Sequence, residues 1–205
     1  MINTVFRFEN RWYPKGKLVF MTPTRPLVAQ QIDACYSIVG LNPEVMTEMT
    51  GTQQPTTRSA LWKSKRIFFL TPQVFINDLS RGACDPMSIR CLIIDEAHKA
   101  QKNHAYCQVV RELSRTNSLF RILALSATPG NDIKVCQNFY IQYFIPKIFQ
   151  DVQQVISNIL ISHVEIRSEE SIDVQPYTHQ KLVEKVIVSL EGNLSSTIDQ
   201  YLSVS

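Results

Sequence analysis

Asp95-Glu96-Ala97-His98 follows directly on the apolar run Leu92-Ile93-Ile94. In an open α/β sheet, ligands gather just past the carboxyl ends of the strands. A strand ending at Ile94 would therefore present two adjacent carboxylates to whatever binds there. Asp95 suits a magnesium ion, which prefers oxygen ligands, keeps several waters and needs one protein carboxylate beside nucleotide phosphates. Glu96 can then orient or deprotonate a water attacking a phosphoryl group. The same four letters also fit an exposed acidic start to a helix, where carboxylates favour the dipole. The tetrad alone does not decide between them.

Its neighbours in sequence narrow the choice. Ser126-Ala127-Thr128 follows the apolar run Phe120–Leu125, so the Ser126 and Thr128 hydroxyls should emerge on the same sheet edge, within reach of the acidic loop. Taken alone, such a triplet reads equally as a turn or cap. Thr22-Pro23-Thr24-Arg25-Pro26 closes the run Lys17–Met21. Thr24 is placed to cap the next helix, leaving backbone N–H groups and Arg25 facing an anion. Thr50-Gly51 and Thr71-Pro72-Gln73 stand at the next two strand exits. Hydroxyls, amides and an arginine recurring at successive exits suit contact with a phosphate backbone irrespective of base sequence.

These residues need a scaffold, and the apolar pattern supplies one. Short runs (KLVFM, Val45–Thr50, RIFFL, RCLIID, FRILAL) alternate with helical stretches from about Arg25, over Thr56–Ser64, over Gln73–Ser80 and along Ala105–Leu113, where Ala105, Tyr106, Val109, Val110 and Leu113 mark one face. Leu27, Val28, Ile32, Cys35, Tyr36 and Val39 share one helical stripe, closed by Gly40; Gly82 stops a later helix. Strands that are apolar throughout, separated by helices, predict βαβ units and a doubly wound parallel sheet covered on both faces. After Gly130 the rhythm loosens. Asn138–Phe149 is aromatic-rich, and Pro146 is expected to break any helix there. Val152–Leu160 reads as a helix, His163–Arg167 as a strand, and His179–Val188 as a further helix.

Composition sets bounds. The chain has 205 residues, 44% of them hydrophobic, and a net charge of +3, which permits a nucleic-acid partner without requiring one. Cys35, Cys84, Cys91, Cys107 and Cys136 are irregularly spaced without a CxxC pair, so reduced thiols are expected rather than a zinc site or disulfide framework. No apolar run approaches the ~18 residues of a membrane span, and the amino terminus lacks a signal-peptide core. His104, His163 and His179 have no ligand-like spacing, and Trp12 and Trp62 are expected in or beside the core.

Together TPTRPLVAQQ, the Thr50-Gly51 and TPQ loops, DEAH and SAT resemble, in order and spacing, motifs Ia to III of DEAH-type superfamily 2 helicases. LTPQVFINDLSRGAC, IIDEAHKA, NHAYCQVVREL, RILALSATPG and EIRSEESIDVQPY look like the Fanconi anaemia group M branch, with its archaeal Hef-like and fungal relatives. The likeness runs from about Trp12 to Val188. It implies a RecA-like first lobe of the P-loop NTPase fold over residues 1–167, with 168–205 opening a partly helical insert towards a second lobe. It also implies an ATP-driven translocase that remodels branched or double-stranded DNA in nuclear repair, including interstrand crosslink repair, alongside other repair proteins. Asp95 would hold Mg2+ with ATP, Glu96 would activate water, and His98 would couple that site to Ser126 and Thr128. Thr24, Arg25, Thr50, Gly51, Thr71 and Gln73 would line the DNA track.

Two features depart from that pattern. A phosphate loop needs G-x-x-x-x-G-K-[ST], whereas Gly16-Lys17 is followed by Leu18 and has Arg11 where the earlier glycine belongs. The family's loop would lie before Met1, and the second lobe would lie past the last residue, so this chain alone is not expected to bind ATP well. A non-hydrolysing DNA-binding or interaction module is the alternative. Asn138–Gln150 is the other departure, read as an insertion or as translated non-coding sequence.

Overall fold

A computed structural model of the chain describes residues 15–37, 40, 42–127, 141–167, 171–172 and 174–177. They fall in two compact units, Met1–His163 and Val164–Ser205. Among the described residues, five strands form one all-parallel sheet in the order β2-β3-β1-β4-β5. The strands are β1 Lys17–Met21, β2 Met46–Met49, β3 Ile67–Leu70, β4 Ile89–Ile94 and β5 Arg121–Ala124. The helices are α1 Arg25–Ser37, α2 Pro55–Ser64, α3 Pro72–Ser80, α4 Ala105–Thr116 and α5 Ile141–Asn158.

Because strand side chains alternate, the apolar runs divide between two cores. Val19, Met21, Phe68, Leu70, Leu92 and Ile94 face one way and pack with residues of α2, α3 and α4. Leu18, Phe20, Ile67, Phe69, Cys91 and Ile93 face the other and pack with Val28 and Cys35 of α1. Trp62 stacks on Phe68 and Phe75, with ring centroids 4.0 and 5.5 Å apart. Burying each side chain of that size contributes roughly 1.5–3 kcal/mol. The expected α/β class and covered parallel sheet are present, and Trp62 is a core residue; Trp12 lies outside the described residues.

Local signals explain the boundaries. α2 and α3 each open on a proline near the first helical position, where a missing N–H costs no hydrogen bond. α4 is capped by His104, whose Nδ1 accepts from Tyr106 N–H at 3.3 Å. Its apolar face, Tyr106, Cys107, Val109, Val110 and Leu113, is fully buried. α3 ends at Gly82, whose φ of +67° lets Ala83 N–H reach back to Asp78 O at 2.9 Å.

Three expectations fail. Pro146 does not break the chain into loop and helix, since α5 runs through it from Ile141. It stands in the second turn, where proline forfeits one backbone hydrogen bond and the rest of the helix continues. His163–Arg167 forms no strand: the segment has no sheet partner among the described residues, and an isolated strand has nothing to hydrogen-bond with. Tyr36 leaves the buried stripe of α1 and is 58% exposed. Val39, residues 138–140 and the helix expected over His179–Val188 lie outside the described residues.

Candidate functional site

Parallel strands bring every one of their carboxyl ends to one edge, and hydrogen bonds carry the ladder a residue further. Asp95 N–H donates to Met21 O at 2.9 Å, Thr22 N–H to Leu70 O at 3.2 Å, and Leu125 N–H to Ile94 O at 2.8 Å. The exits of β1, β3, β4 and β5 are thereby stitched into a common rim.

The acidic loop is held tightly on that rim. Glu96 has φ +50° and ψ +47°, the left-handed region that side chains with a Cβ usually avoid. Ala97 N–H to Leu125 O, 2.9 Å, fixes the turn on one side. The buried Tyr106 hydroxyl, donating to Asp95 O at 2.8 Å, fixes it on the other. Asn158 of α5 adds a bond from Nδ2 to Ala100 O at 3.0 Å. Tyr106 is a positioning group that the sequence reading placed only on a helix face. Its signal is a tyrosine on a fully apolar stripe, because a buried phenol must find an acceptor.

The carboxylates differ in surroundings. Burial pushes the Asp95 carboxyl above its ordinary value, with the Glu96 charge adding to the rise and the Glu96 N–H opposing it. Its Oδ1 accepts that N–H at 3.0 Å. An oxygen-only donor, partly withdrawn from water and anchored through one oxygen, fits a magnesium ion shared with phosphates and waters. Glu96 Oε2 lies 3.3 Å from His98 Nδ1, and the same nitrogen lies 3.1 Å from Ser126 Oγ. A carboxylate only accepts, so Nδ1 carries the proton when that contact forms, and Ser126 Oγ then receives its other share. His98 thus bridges Glu96 and Ser126. Thr128 lies outside the described residues.

The other predicted residues meet at an open groove of about 270 Å³, whose lining includes Arg25, Thr50, Gly51, Thr71 and Gln73. Thr24 is exposed at the turn before Arg25 but is not part of that lining. Its carbonyl accepts Val28 N–H at 3.2 Å, which sets Thr24 at the cap position of α1, and the buried Thr22 closes the turn, its Oγ1 donating to the same carbonyl at 3.1 Å. Thr71 occupies the cap position of α3 without spending its hydroxyl on the helix. A Cβ at Gly51 would meet nothing nearer than Val74 Cγ2 at 3.9 Å. Packing therefore does not demand a glycine there, and what its absent side chain leaves is room in the groove.

Beneath the groove lies an ion pair absent from the sequence reading. Arg58 Nη2 and Asp78 Oδ1 are 2.8 Å apart, with side chains 4% and 1% exposed. They stand twenty residues apart on two different helices, α2 and α3, so spacing gave no hint.

Residues 1–135 match the family model described as DEAD/DEAH box helicase. Over 194 residues, 95% of this chain, the sequence is 50% identical to the "Fanconi anemia group M protein homolog" of Mus musculus, covering 9% of that protein. It is 43% identical over 194 residues to the "ATP-dependent DNA helicase fml1" of Schizosaccharomyces pombe, covering 95% of this chain and 21% of that protein. The crystal structure of the Pyrococcus furiosus Hef helicase domain superposes with a TM-score of 0.71 at 30% identity, covering 88% of this chain and 35% of that one.

Proposed function

The chain belongs to the DEAD/DEAH box helicase family, and on that premise we propose that it works as part of the first RecA-like lobe of an ATP-dependent DNA translocase. Its substrates are branched DNAs, forks and four-way junctions, remodelled during repair in the nucleus, crosslink repair included; other repair proteins are its natural partners. The name of the fission-yeast relative supports the ATP-dependent DNA helicase part of this reading, and that of the mouse relative its Fanconi anaemia branch. No helix among the described residues is long and apolar enough to cross a membrane.

The carrying observation is the His98 bridge between Glu96 and Ser126, on the same sheet edge as a groove lined by hydroxyls, amides and Arg25. Asp95 would hold magnesium with the nucleotide phosphates, and a bound ion neutralises charge developing on the transferred phosphoryl group. Glu96 orients the attacking water. His98 relays the state of that carboxylate to Ser126, and by the family pattern to Thr128. Thr24, Arg25, Thr50, Gly51, Thr71 and Gln73 hold the DNA backbone without reading bases.

The test is DNA-stimulated ATP turnover by the complete protein and its Glu96→Gln variant. Turnover is expected to fall about 100-fold or more while DNA binding persists, the range general-base loss gives. Turnover that survives the substitution sinks the assignment of Glu96.

A further inference from the structure

Arg58 spends its guanidinium on three targets at once. Nε donates to Asp78 Oδ1 at 2.9 Å and Oδ2 at 3.0 Å, and Nη2 to Oδ1 at 2.8 Å. Nη1 turns the other way, to Gln53 O at 2.6 Å and, more weakly, Thr50 O at 3.5 Å. Trp62 Nε1 donates to Asp78 Oδ2 at 3.0 Å, so both carboxylate oxygens are engaged. The pair is therefore a buried hub joining α2, α3 and the loop after β2. A buried ion pair is a poor way to gain stability, because desolvation offsets most of the attraction. The geometry accounts for it differently.

The carbonyls that Arg58 draws inward belong to the turn that bears Thr50, Gly51 and Thr52 on the groove. Gln53 completes the clamp from within: its Oε1 accepts Thr50 N–H at 3.1 Å and its Nε2 reaches Glu48 O at 3.4 Å. Neither Arg58 nor Gln53 lines the groove. With two carbonyls tied beneath the turn, its opposite side is left to meet a ligand. Asp78 lies on α3, the helix that contributes Gln73 and Asn77 to the far wall. One side chain thus sets the distance between two walls of the groove.

We propose that Arg58 is a positioning residue for nucleic-acid binding, which holds the Thr50–Gln53 turn in register with α3 while touching no nucleic acid itself. This rests on reading the groove as the DNA track. Arginine is required because a lysine keeps the charge beside Asp78 but has no planar fork to span a carboxylate and a carbonyl together.

The test combines Arg58→Lys, Gln53→Ala, which leaves the buried pair intact and so keeps the fold, and Arg25→Ala, a groove-lining cation. Binding of the chain to a fluorescent forked duplex is measured across a salt series, and amide hydrogen exchange is followed at Thr50 and Gln53. Arg58→Lys and Gln53→Ala are expected to speed exchange at those amides. Each should weaken binding roughly ten-fold at fixed salt, about one hydrogen bond's worth of positioning. Their slope of log affinity against log salt should match wild type, whereas Arg25→Ala lowers it by about one. Unchanged exchange, or unchanged affinity despite faster exchange, overturns the proposal. So does a slope lowered by about one in Arg58→Lys, which would make Arg58 a direct phosphate contact. If Arg25→Ala alters neither affinity nor slope, the groove reading fails instead, and the exchange rates still judge the anchor.

Discussion

Asp95 carries a cost of its own. Burial holds its carboxyl above the ordinary value, so the fold favours the protonated form. A raised folded value means that this contribution is fully present below the unfolded value and lost as pH rises through the folded one. At neutral pH the ionised group opposes folding. Asp95→Asn keeps an acceptor for Glu96 N–H and removes the charge. We expect it to raise Tm slightly at pH 7, the gain being small because solvent screens a partly exposed carboxylate, and vanishing below the carboxylate range. Equal melting curves at pH 7 would contradict the sign. Asp95, Glu96, His98 and Ser126 were legible in the sequence because each ends or follows an apolar strand. Arg58 and Asp78 were not, because a buried charge on a helix looks like any exposed one until its partner is known. Tyr106 was half legible, its burial foreseen and its acceptor not.

Among the elements, the strands were the most readable, since burial on both faces makes them apolar from end to end. Helix ends marked by glycine were nearly as clear. At Gly82 the reason is conformational: φ is +67° and a Cβ would meet nothing within 4 Å. Gly82→Ala should therefore lower stability by about 1–2 kcal/mol, the cost of a left-handed L-residue, measured by urea denaturation with an unchanged m value. No loss would mean that the helix end re-forms in another geometry. Pro146 misled for the opposite reason. Proline's penalty is local, so it marks a boundary only where the surrounding pattern also fails, and here Ile141–Asn158 continues around it. His163–Arg167 misled because an alternating apolar pattern specifies a strand only if a neighbouring strand is present to pair with it. The turn over Thr50–Gln53 was readable as a turn, but its anchoring was not, since that depends on two helices meeting beneath it.

At the scale of the molecule, the sheet keeps its thiols out of reach. Among the described residues, Cys35, Cys84, Cys91 and Cys107 are all buried, and none is held in a disulfide. Burial raises the Cys35 thiol to about 11 and the Cys84 thiol to about 12. Only the thiolate reacts, so these four should resist a thiol-specific reagent at pH 8 and all become reactive in denaturant, as peptide mapping of the labelled protein would report. Rapid labelling of Cys84 in the native state would show that α3 and the loop after it open easily. The stacked indole of Trp62 has a different use. The chain has two tryptophans, and with Trp12 replaced by phenylalanine a single indole remains, stacked on Phe68 and Phe75 and donating to Asp78. Its emission colour then becomes an optical gauge of the Arg58 anchor, readable without any label while DNA is titrated in.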